Sequence, residues 1–223
     1  MRPRVLLAMS SSVDGRISTG PGRNVTEWSA RWPGRRAPAI IQERIQQWGA
    51  DGVVSGSESV LVWSRHPVAV PAEADGYSPD LPYIVFDGRG RITWTQTRGL
   101  VVVTCTHVTE TYKNHLRDRG IETVFAGPGP HVDVSAALTA LYDRGFRRLA
   151  LNGGGTLNGA FLRAGLVDEA VVVWEPLLVG ASSTPTLFDA PDLDAPDALL
   201  PLELVAASPG GGDTVVAHYR LRG

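Results

Sequence analysis

Residues 149–179 read LALNGGGTLNGAFLRAGLVDEAVVVWEPLLV, and this stretch decides the fold that the sequence predicts. Its predicted parts are, in order, a buried strand at 149–151, a glycine turn at 153–155, a helix at 156–164 and a strand from 171. The helix is indicated by Leu157, Phe161 and Leu162, which recur on one face, and by Gly165 as its stop. A strand that leads through a short turn into a helix is the repeating unit of α/β proteins.

The glycine turn at 153–155 has two interpretations. Free backbone N–H groups and the helix dipole at such a turn can bind an anion, and a side chain there would keep a phosphate away. Alternatively, the glycines make an ordinary tight connection from strand to helix. Two common phosphate motifs are missing, because Asn158 stands where G-x-G-x-x-G needs its third glycine and the only lysine, Lys113, follows no P-loop.

The length and composition of the chain indicate which classes of protein it can belong to. A length of 223 residues predicts a single domain, 1–223, and the net charge of -2 predicts no nucleic-acid partner. The only cysteine, Cys105, excludes a disulfide framework and a cysteine-based zinc site within one chain, and we predict no metal. Because the apolar run at 5–9 is too short to span a membrane, we expect a cytoplasmic protein without a membrane partner.

Strands and helices alternate along the rest of the chain. The other predicted strands are 5–9, 52–55, 83–86, 100–105 and 122–126, and the other helices are 37–48, one opening at 56–59, 106–117 and one capped by Asp133. Strands at 202–206 and 214–221 flank a proline–glycine turn and predict an antiparallel hairpin. This order predicts an α/β fold with a mixed, mainly parallel sheet and helices on both faces.

A long polar segment, 16–36, follows the first predicted strand. Loops of this length in compact domains are often functional. Arginines and tryptophans within it, among them Trp28, Arg31 and Arg36, suit an aromatic or phosphorylated ligand. A solvated loop that is anchored by its tryptophans explains the same residues.

Four stretches carry a resemblance to a known family. Residues 152–169, NGGGTLNGAFLRAGLVDE, resemble the signature E-G-G-x-x-L-N-G-x-x-L-x-x-G-L-V-D-E, and 176–180, PLLVG, resemble the following P-x-x-x-G. Residues 12–17, SVDGRI, resemble the end of A-x-S-x-D-G-x-I, and 50–60, ADGVVSGSESV, are similar to D-A-x-x-x-G-x-x-T-V. These motifs belong to the pyrimidine reductases of riboflavin biosynthesis, within the dihydrofolate-reductase-like superfamily.

The resemblance implies a homodimeric, NADPH-dependent reductase with the three-layer dihydrofolate-reductase-like fold. It implies two phosphate-binding helix starts, backbone that faces the nicotinamide amide, and Thr104 near the adenosine 2′-phosphate. The implied cofactor-binding residues are Ala8, Ser10, Ile17, Gly56, Ser57, Ser59, Thr104, Gly153, Gly154, Gly155, Thr156 and Leu157.

The sequence departs from the family pattern at two places that concern the substrate. Asn152 replaces the glutamate before the glycines, and an amide can hydrogen-bond but carries no charge. The run Arg65-His66-Pro67 replaces an aspartate-proline that is followed by an arginine. We therefore expect either poor reduction of the ribosylaminopyrimidine phosphate of the riboflavin pathway or a different set of residues to hold the substrate. The candidates for that set are Trp28, Arg31, Arg36, Arg65 and Asn152.

The protein itself needs few reactive groups for such a reduction, because NADPH carries the hydride. The reduction of a C=N or C=O bond of a small heterocycle also needs a proton. Asp14 is a candidate to orient the substrate or a donor water, and Glu175 is a second candidate. An aspartate that simply forms the turn before Gly15 explains Asp14 as well, and water can also protonate an imine. Two alternatives stay open: a paralogue that reduces another substrate in specialised metabolism, and a ligand-binding protein that has lost the chemistry.

Overall fold

The computed structural model describes residues 1–23, 25–32, 34–63, 81–95, 97–193 and 199–222. Within these ranges the chain forms nine strands: β1 Arg4–Ser12, β2 Gly52–Gly56, β3 Tyr83–Phe86, β4 Leu100–Thr104, β5 Glu122–Phe125, β6 Arg148–Leu151, β7 Glu169–Glu175, β8 Leu202–Gly211 and β9 Thr214–Leu221. The helices are α1 Thr26–Arg31, α2 Ala37–Trp48, α3 Ser57–Trp63, α4 Glu110–Asp118, α5 Val134–Asp143 and α6 Gly155–Arg163.

All nine strands belong to one sheet with the order β5-β4-β3-β2-β6-β1-β7-β9-β8. The first seven strands of this order are parallel, and β9 and β8 continue the sheet as an antiparallel hairpin. The predicted α/β class, the mixed sheet and the terminal hairpin are therefore confirmed.

Helices cover both faces of the sheet, as predicted. On one face, α2, α3 and α4 contribute Ile41, Val60 and Leu116 to a buried apolar cluster. On the other face, α5 and α6 contribute Leu138 and Phe161 to a second cluster. Parallel strands that are buried on both sides have continuous apolar sequences. This explains why these strands could be predicted from the sequence.

Several predicted boundaries were wrong. Strand β8, predicted at 202–206, runs as far as Gly211. The helix expected at 106–117 starts at Glu110, because the Thr109 side chain caps it by accepting the Tyr112 N–H at 3.2 Å. The polar segment 16–36 contains the short helix α1. Strand β1 runs on through Ser12, since its polar end pairs with the long strand β7 as far as Glu175.

A crevice forms between two neighbouring strands whose following helices lead toward opposite edges of the sheet. Strands β2 and β6 are hydrogen-bonded neighbours, but β2 leads through α3 to β3 while β6 leads through α6 toward β7. In open α/β sheets, ligands bind outside the carboxyl ends of the strands at such a switch point. Across the described ranges, no helix is long and apolar enough to cross a membrane.

Candidate active site

Two strand-to-helix turns meet at this switch point. A Cβ added to Gly56, the last residue of β2, would lie 3.5 Å from the Leu157 Cβ on α6. Gly154 caps α6, and the first helical bond runs from the Asn158 N–H to the Gly154 carbonyl at 3.1 Å. The amides of 155–157 precede that bond and have no acceptor within the helix. Both turns thus present helix starts to the same crevice.

The glycines of the second turn are required by the protein itself. Gly154 has φ +61°, a left-handed conformation, and a Cβ on Gly153 would lie 2.6 Å from the Ser55 Cα. A Cβ on Gly155 would lie 2.3 Å from the Thr186 carbonyl oxygen and 2.2 Å from a carboxylate oxygen of Asp189. We expected the glycines to leave room for a phosphate, but contacts within the protein are sufficient to explain them. The alternative of a tight connection accounts for them.

The crevice opens into a groove of about 630 Å³. Predicted cofactor residues that line it are Ile17, Gly56, Ser57, Ser59, Gly154, Gly155, Thr156 and Leu157. Among the described residues, its charged lining consists of Glu58, Arg89, Arg163 and Asp189, with His131 beside them. The sequence reasoning missed these charged residues and the segments 130–134 and 185–191 that form the other walls.

A smaller cavity of about 90 Å³ adjoins the groove on the α2 face of the sheet. Ile17, Ser59 and Gly154 line both spaces, so the cavity and the groove lie next to each other. The remaining lining of the cavity is Met9, Ser10, Val25, Ile41, Ser55, Tyr83 and Asn152. Of the described residues, no carboxylate and no imidazole lines it. The cavity therefore offers mostly hydroxyl, amide and apolar groups.

Asn152 is the predicted substrate-binding residue that the structure brings to the cavity. Its side-chain amide donates to the Ala8 carbonyl at 2.6 Å, and its backbone carbonyl accepts the Ser55 hydroxyl at 3.3 Å. A glutamate could not donate that bond while ionised. The asparagine thus ties the ends of β6 and β1 together at the rim of the cavity.

Three predicted cofactor residues do not reach either space. Ala8 is fully buried, and its carbonyl accepts a hydrogen bond from the Asn152 side-chain amide. Thr104 is fully buried as well, and its hydroxyl donates to the Asp87 carbonyl at 2.7 Å. Gly153 packs against β2. Because none of them lines the groove or the cavity, their role is to hold the strand ends.

The other predicted substrate residues lie away from the cavity. Trp28 is 3% exposed and anchors α1, which agrees with the simpler interpretation of the polar loop. Arg31 is exposed, and Arg36 extends toward Gly211 in the terminal hairpin; neither lines the groove or the cavity. Arg65, with the run 65–67, lies outside the described residues. The structure thus gives Trp28, Arg31 and Arg36 no contact with the site.

Asp14 is held as an ionised carboxylate. It accepts the Ser12 hydroxyl at 2.7 Å, the Gly180 N–H at 2.8 Å and the Val179 N–H at 3.1 Å. These hydrogen bonds, led by that from Ser12, lower the pKa of Asp14 from 3.8 to about 2. A carboxyl group with this pKa has no proton to give at neutral pH. Asp14 joins the turn after β1 to the segment after β7, and its role in orienting the substrate or a donor water stays a prediction.

We expect Asp14→Asn to reduce the stability of the protein only where the carboxylate is ionised. The pKa of Asp14 is lower in the folded protein than in the unfolded chain. The stabilisation by its carboxylate is therefore complete above pH 3.8 and is lost as the pH falls through about 2. Chemical denaturation of both proteins at a series of pH values measures it. The gap between them should be widest at neutral pH and should close toward pH 2; a constant gap would contradict this account.

Glu175 is also removed from contact with a substrate. Its side chain is fully buried, and the Nε of Arg35 donates to its two carboxylate oxygens at 2.8 and 3.1 Å. The Arg35 side chain is 4% exposed, and its Nη2 donates to the Ser10 hydroxyl oxygen at 3.1 Å. The pair therefore lies behind the wall of the small cavity, where it holds Ser10.

Comparison with known proteins assigns this architecture to a family. The model of the RibD C-terminal domain matches residues 3–216. A protein of Methanothermobacter thermautotrophicus, named 2,5-diamino-6-ribosylamino-4(3H)-pyrimidinone 5′-phosphate reductase, is 30% identical over 229 residues, with all of both chains covered. The riboflavin biosynthesis protein RibD of Chlamydia muridarum is 27% identical over 195 residues; the match covers 84% of this chain and 50% of that protein.

Solved structures show the same fold. RibD of Acinetobacter baumannii superposes with a TM-score of 0.69 at 21% identity, over 99% of this chain and 58% of the other. A pyrimidine reductase-like protein of Corynebacterium diphtheriae has a TM-score of 0.68 at 17% identity, over 100% and 92% of the two chains. The chain thus spans about half the length of the two RibD proteins, all of the Methanothermobacter reductase and 92% of the Corynebacterium protein. With its family model, its relatives and its fold in agreement, the chain belongs to the RibD C-terminal domain family of pyrimidine reductases.

Proposed function

We propose that this protein is an NADPH-dependent reductase of a ribosylaminopyrimidine 5′-phosphate. The observation that carries the proposal is the pair of adjacent spaces at the switch point: a groove bordered by two helix starts, and a smaller cavity that shares three lining residues with it. A dinucleotide in the groove places its reactive ring at the cavity, where a second small molecule can meet it. The names of the relatives point to the pyrimidine as that molecule.

The described residues fit a dinucleotide. The volume of about 630 Å³ lies in the range of roughly 300–1,000 Å³ that small-molecule sites occupy. First-turn amides of α6 and the hydroxyl groups of Ser57 and Ser59 border the groove, and they are donors suited to a pyrophosphate. When bound, NADPH would supply the hydride from its nicotinamide ring.

The protein's own part in the reaction is to position the reactants and exclude water. Met9, Ser10 and Asn152 would bound the site of reduction, with Ser10 fixed by Arg35. A ribosylamine opens to an imine, whose carbon takes the hydride and whose nitrogen takes a proton. Because no carboxylate or imidazole of the described residues lines the cavity, we infer that this proton comes from water.

Steady-state kinetics with NADPH tests the function. The substrates are 2,5-diamino-6-ribosylamino-4(3H)-pyrimidinone 5′-phosphate and 5-amino-6-(5-phosphoribosylamino)uracil, each compared with its dephosphorylated form. We expect one phosphate to be reduced with a kcat/KM that falls on dephosphorylation. Tight NADPH binding without turnover of either pyrimidine would favour a paralogue with another substrate. Failure to bind any dinucleotide would favour a binding protein without this chemistry.

We also propose that the protein acts as a homodimer through its terminal hairpin. Strand β8 is the edge of the sheet, and its Leu202, Leu204 and Val205 are 48%, 56% and 43% exposed. Exposed apolar side chains on an edge strand are a typical surface for association. Sedimentation should show that the parent protein is a dimer and that Leu204→Lys is a folded monomer. A monomeric parent protein would refute the proposed dimer. The cytoplasmic location stays a prediction.

A further inference from the structure

The buried ion pair of Arg35 and Glu175 is connected to the small cavity through Ser10. Along the paired strands β1 and β7, Ser10 lies opposite Val173 and Ser12 lies opposite Glu175. Ser10 lines the cavity, whereas Arg35 and Glu175 line neither the cavity nor the groove. The guanidinium of Arg35 uses Nε for Glu175 and Nη2 for the Ser10 hydroxyl oxygen. A charged group that does not touch the cavity therefore holds a hydroxyl group that does.

The hydroxyl group of Ser10 has a proton without an acceptor. A hydroxyl has one O–H to donate and an oxygen that can accept. The oxygen accepts the Arg35 N–H at 3.1 Å, and in the part of the chain that the structure describes the Ser10 O–H donates to no other group. Ser55 lines the same cavity and differs, because its hydroxyl already donates to the Asn152 carbonyl. A molecule in the cavity can thus supply the acceptor that Ser10 lacks.

The guanidinium also makes this hydroxyl group a stronger donor. A hydroxyl oxygen that accepts from a cation is polarised, and linked hydrogen bonds strengthen one another where the local dielectric is low. The Arg35 side chain is 4% exposed and Ser10 is 7% exposed, so little water screens the contact. Glu175 holds the other side of the guanidinium and fixes its orientation. The arrangement suits a ligand atom that gains negative charge.

Two departures from the family pattern meet in this cavity. Position 10 aligns with the alanine of A-x-S-x-D-G-x-I, so this chain has a hydroxyl group where the pattern has a methyl group. Asn152, which stands in place of a glutamate, lines the cavity as well. The cavity of this chain therefore combines a neutral amide with a hydroxyl donor that a buried arginine orients.

We propose that Ser10 donates a hydrogen bond to the substrate nitrogen at which negative charge develops during reduction, and that Arg35 positions this hydroxyl group. The inference rests on the proposed function, since it assumes that an imine is reduced in the cavity. As the hydride forms the new C–H bond, the π electrons of the C=N bond move to nitrogen, which takes a proton from water. A donor that is fixed in advance at that nitrogen stabilises the developing charge. Ser10 keeps its own proton, so the step needs no further reactant.

Single-turnover kinetics of the full chain with NADPH and the pyrimidine phosphate test the role of Ser10. Ser10→Ala should lower the rate of hydride transfer about ten- to a hundredfold, because it removes a contact that is strongest in the transition state. Calorimetry should show unchanged binding of NADPH, and of the pyrimidine phosphate to the NADP⁺ complex. Ser10→Thr, which keeps the hydroxyl group, should recover most of the rate. Ser11→Ala is the control, since it removes the next hydroxyl group of β1, which is fully buried and lines neither space.

The positioning role of Arg35 is tested by Arg35→Lys in two backgrounds. A lysine keeps a positive charge beside Glu175, but its one nitrogen cannot replace the two that Arg35 uses for Glu175 and Ser10. It should slow hydride transfer in the parent protein and have no further effect in the Ser10→Ala protein. An equal loss in both backgrounds would show that Arg35 acts through the fold rather than through Ser10. Thermal unfolding checks that each variant is folded, and the Ser10 variants decide the matter if Arg35→Lys is not.

The other outcomes separate the inference from the proposed function. If Ser10→Ala reduces the pyrimidine phosphate as fast as the parent protein, or if a folded Ser10→Thr is as slow as Ser10→Ala, the inference fails and the proposed function stands. Weaker binding of NADPH or of the pyrimidine phosphate at an unchanged rate makes Ser10 a binding contact and also overturns it. A parent protein that reduces no pyrimidine phosphate removes the proposed function and the inference together.

Discussion

Glu175→Gln should lower the free energy of unfolding by about 3–5 kcal/mol, the largest effect we expect from a single change. Glutamine keeps the volume but removes the negative charge from a buried ion pair, and breaking such a pair by changing one partner is costly. The side chains of Arg35 and Glu175 are 4% and 0% exposed, so water cannot take the place of the lost partner. Chemical denaturation at neutral pH measures the loss.

Two comparisons make this result specific to the buried pair. Glu203→Gln breaks an ion pair with Arg220 in which both side chains are about half exposed, and it should change stability by less than about 1 kcal/mol. Replacing Arg35 and Glu175 together by methionine and leucine should cost less than the Glu175 change alone, because no isolated charge remains. If Glu175→Gln is as mild as Glu203→Gln, the pair is not buried in solution.

Gly159→Ala should destabilise the protein by about 2 kcal/mol, although alanine is the better helix former by about 1 kcal/mol. Gly159 is buried in α6, and an added Cβ would lie 2.3 Å from the Asp189 carbonyl oxygen. The segment at 185–191 would have to move off the helix. Because that segment is a wall of the groove, we expect weaker dinucleotide binding in the same variant.

The neighbouring position supplies a matched control. Ala160 is exposed on the same helix, so Ala160→Gly should cost only the helix propensity, about 1 kcal/mol. Urea denaturation compares the two variants with the parent protein. A Gly159→Ala protein that is more stable than its parent would show that Asp189 does not pack against α6.

Much of the fold could be read from local patterns. Helix α2 starts and ends where its apolar period and Gly49 predict, and Asp133 caps α5 by accepting two backbone N–H groups at 3.0 and 2.9 Å. The glycine turn at 153–155 was found for the same reason. Caps, turns and helical periods act over a few residues, so one sequence contains them.

The rest of the site depends on contacts that no local pattern contains. The groove closes only because the ends of β2, β3 and β6 lie side by side and bring the segments at 130–134 and 185–191 to the same place. The order of the strands was not predicted, so neither were these walls. The pairing of Arg35 with Glu175 has no local signal, since the two residues are 140 positions apart in the sequence. Their pairing is a product of the fold.

Strand β1 is flanked by β6 and β7, so during translation β1 has to wait for both of its partners. Arg4 pairs with Arg148, and Leu6 pairs with Glu169. At about 5–20 residues per second, roughly 7–30 s of translation pass between the emergence of β1 and that of β6. During that time Val5, Leu6 and Leu7 have no neighbouring strand with which to pair. The nascent chain is therefore expected to be a client of ribosome-associated chaperones, and its centre can form only after most of it has been synthesised.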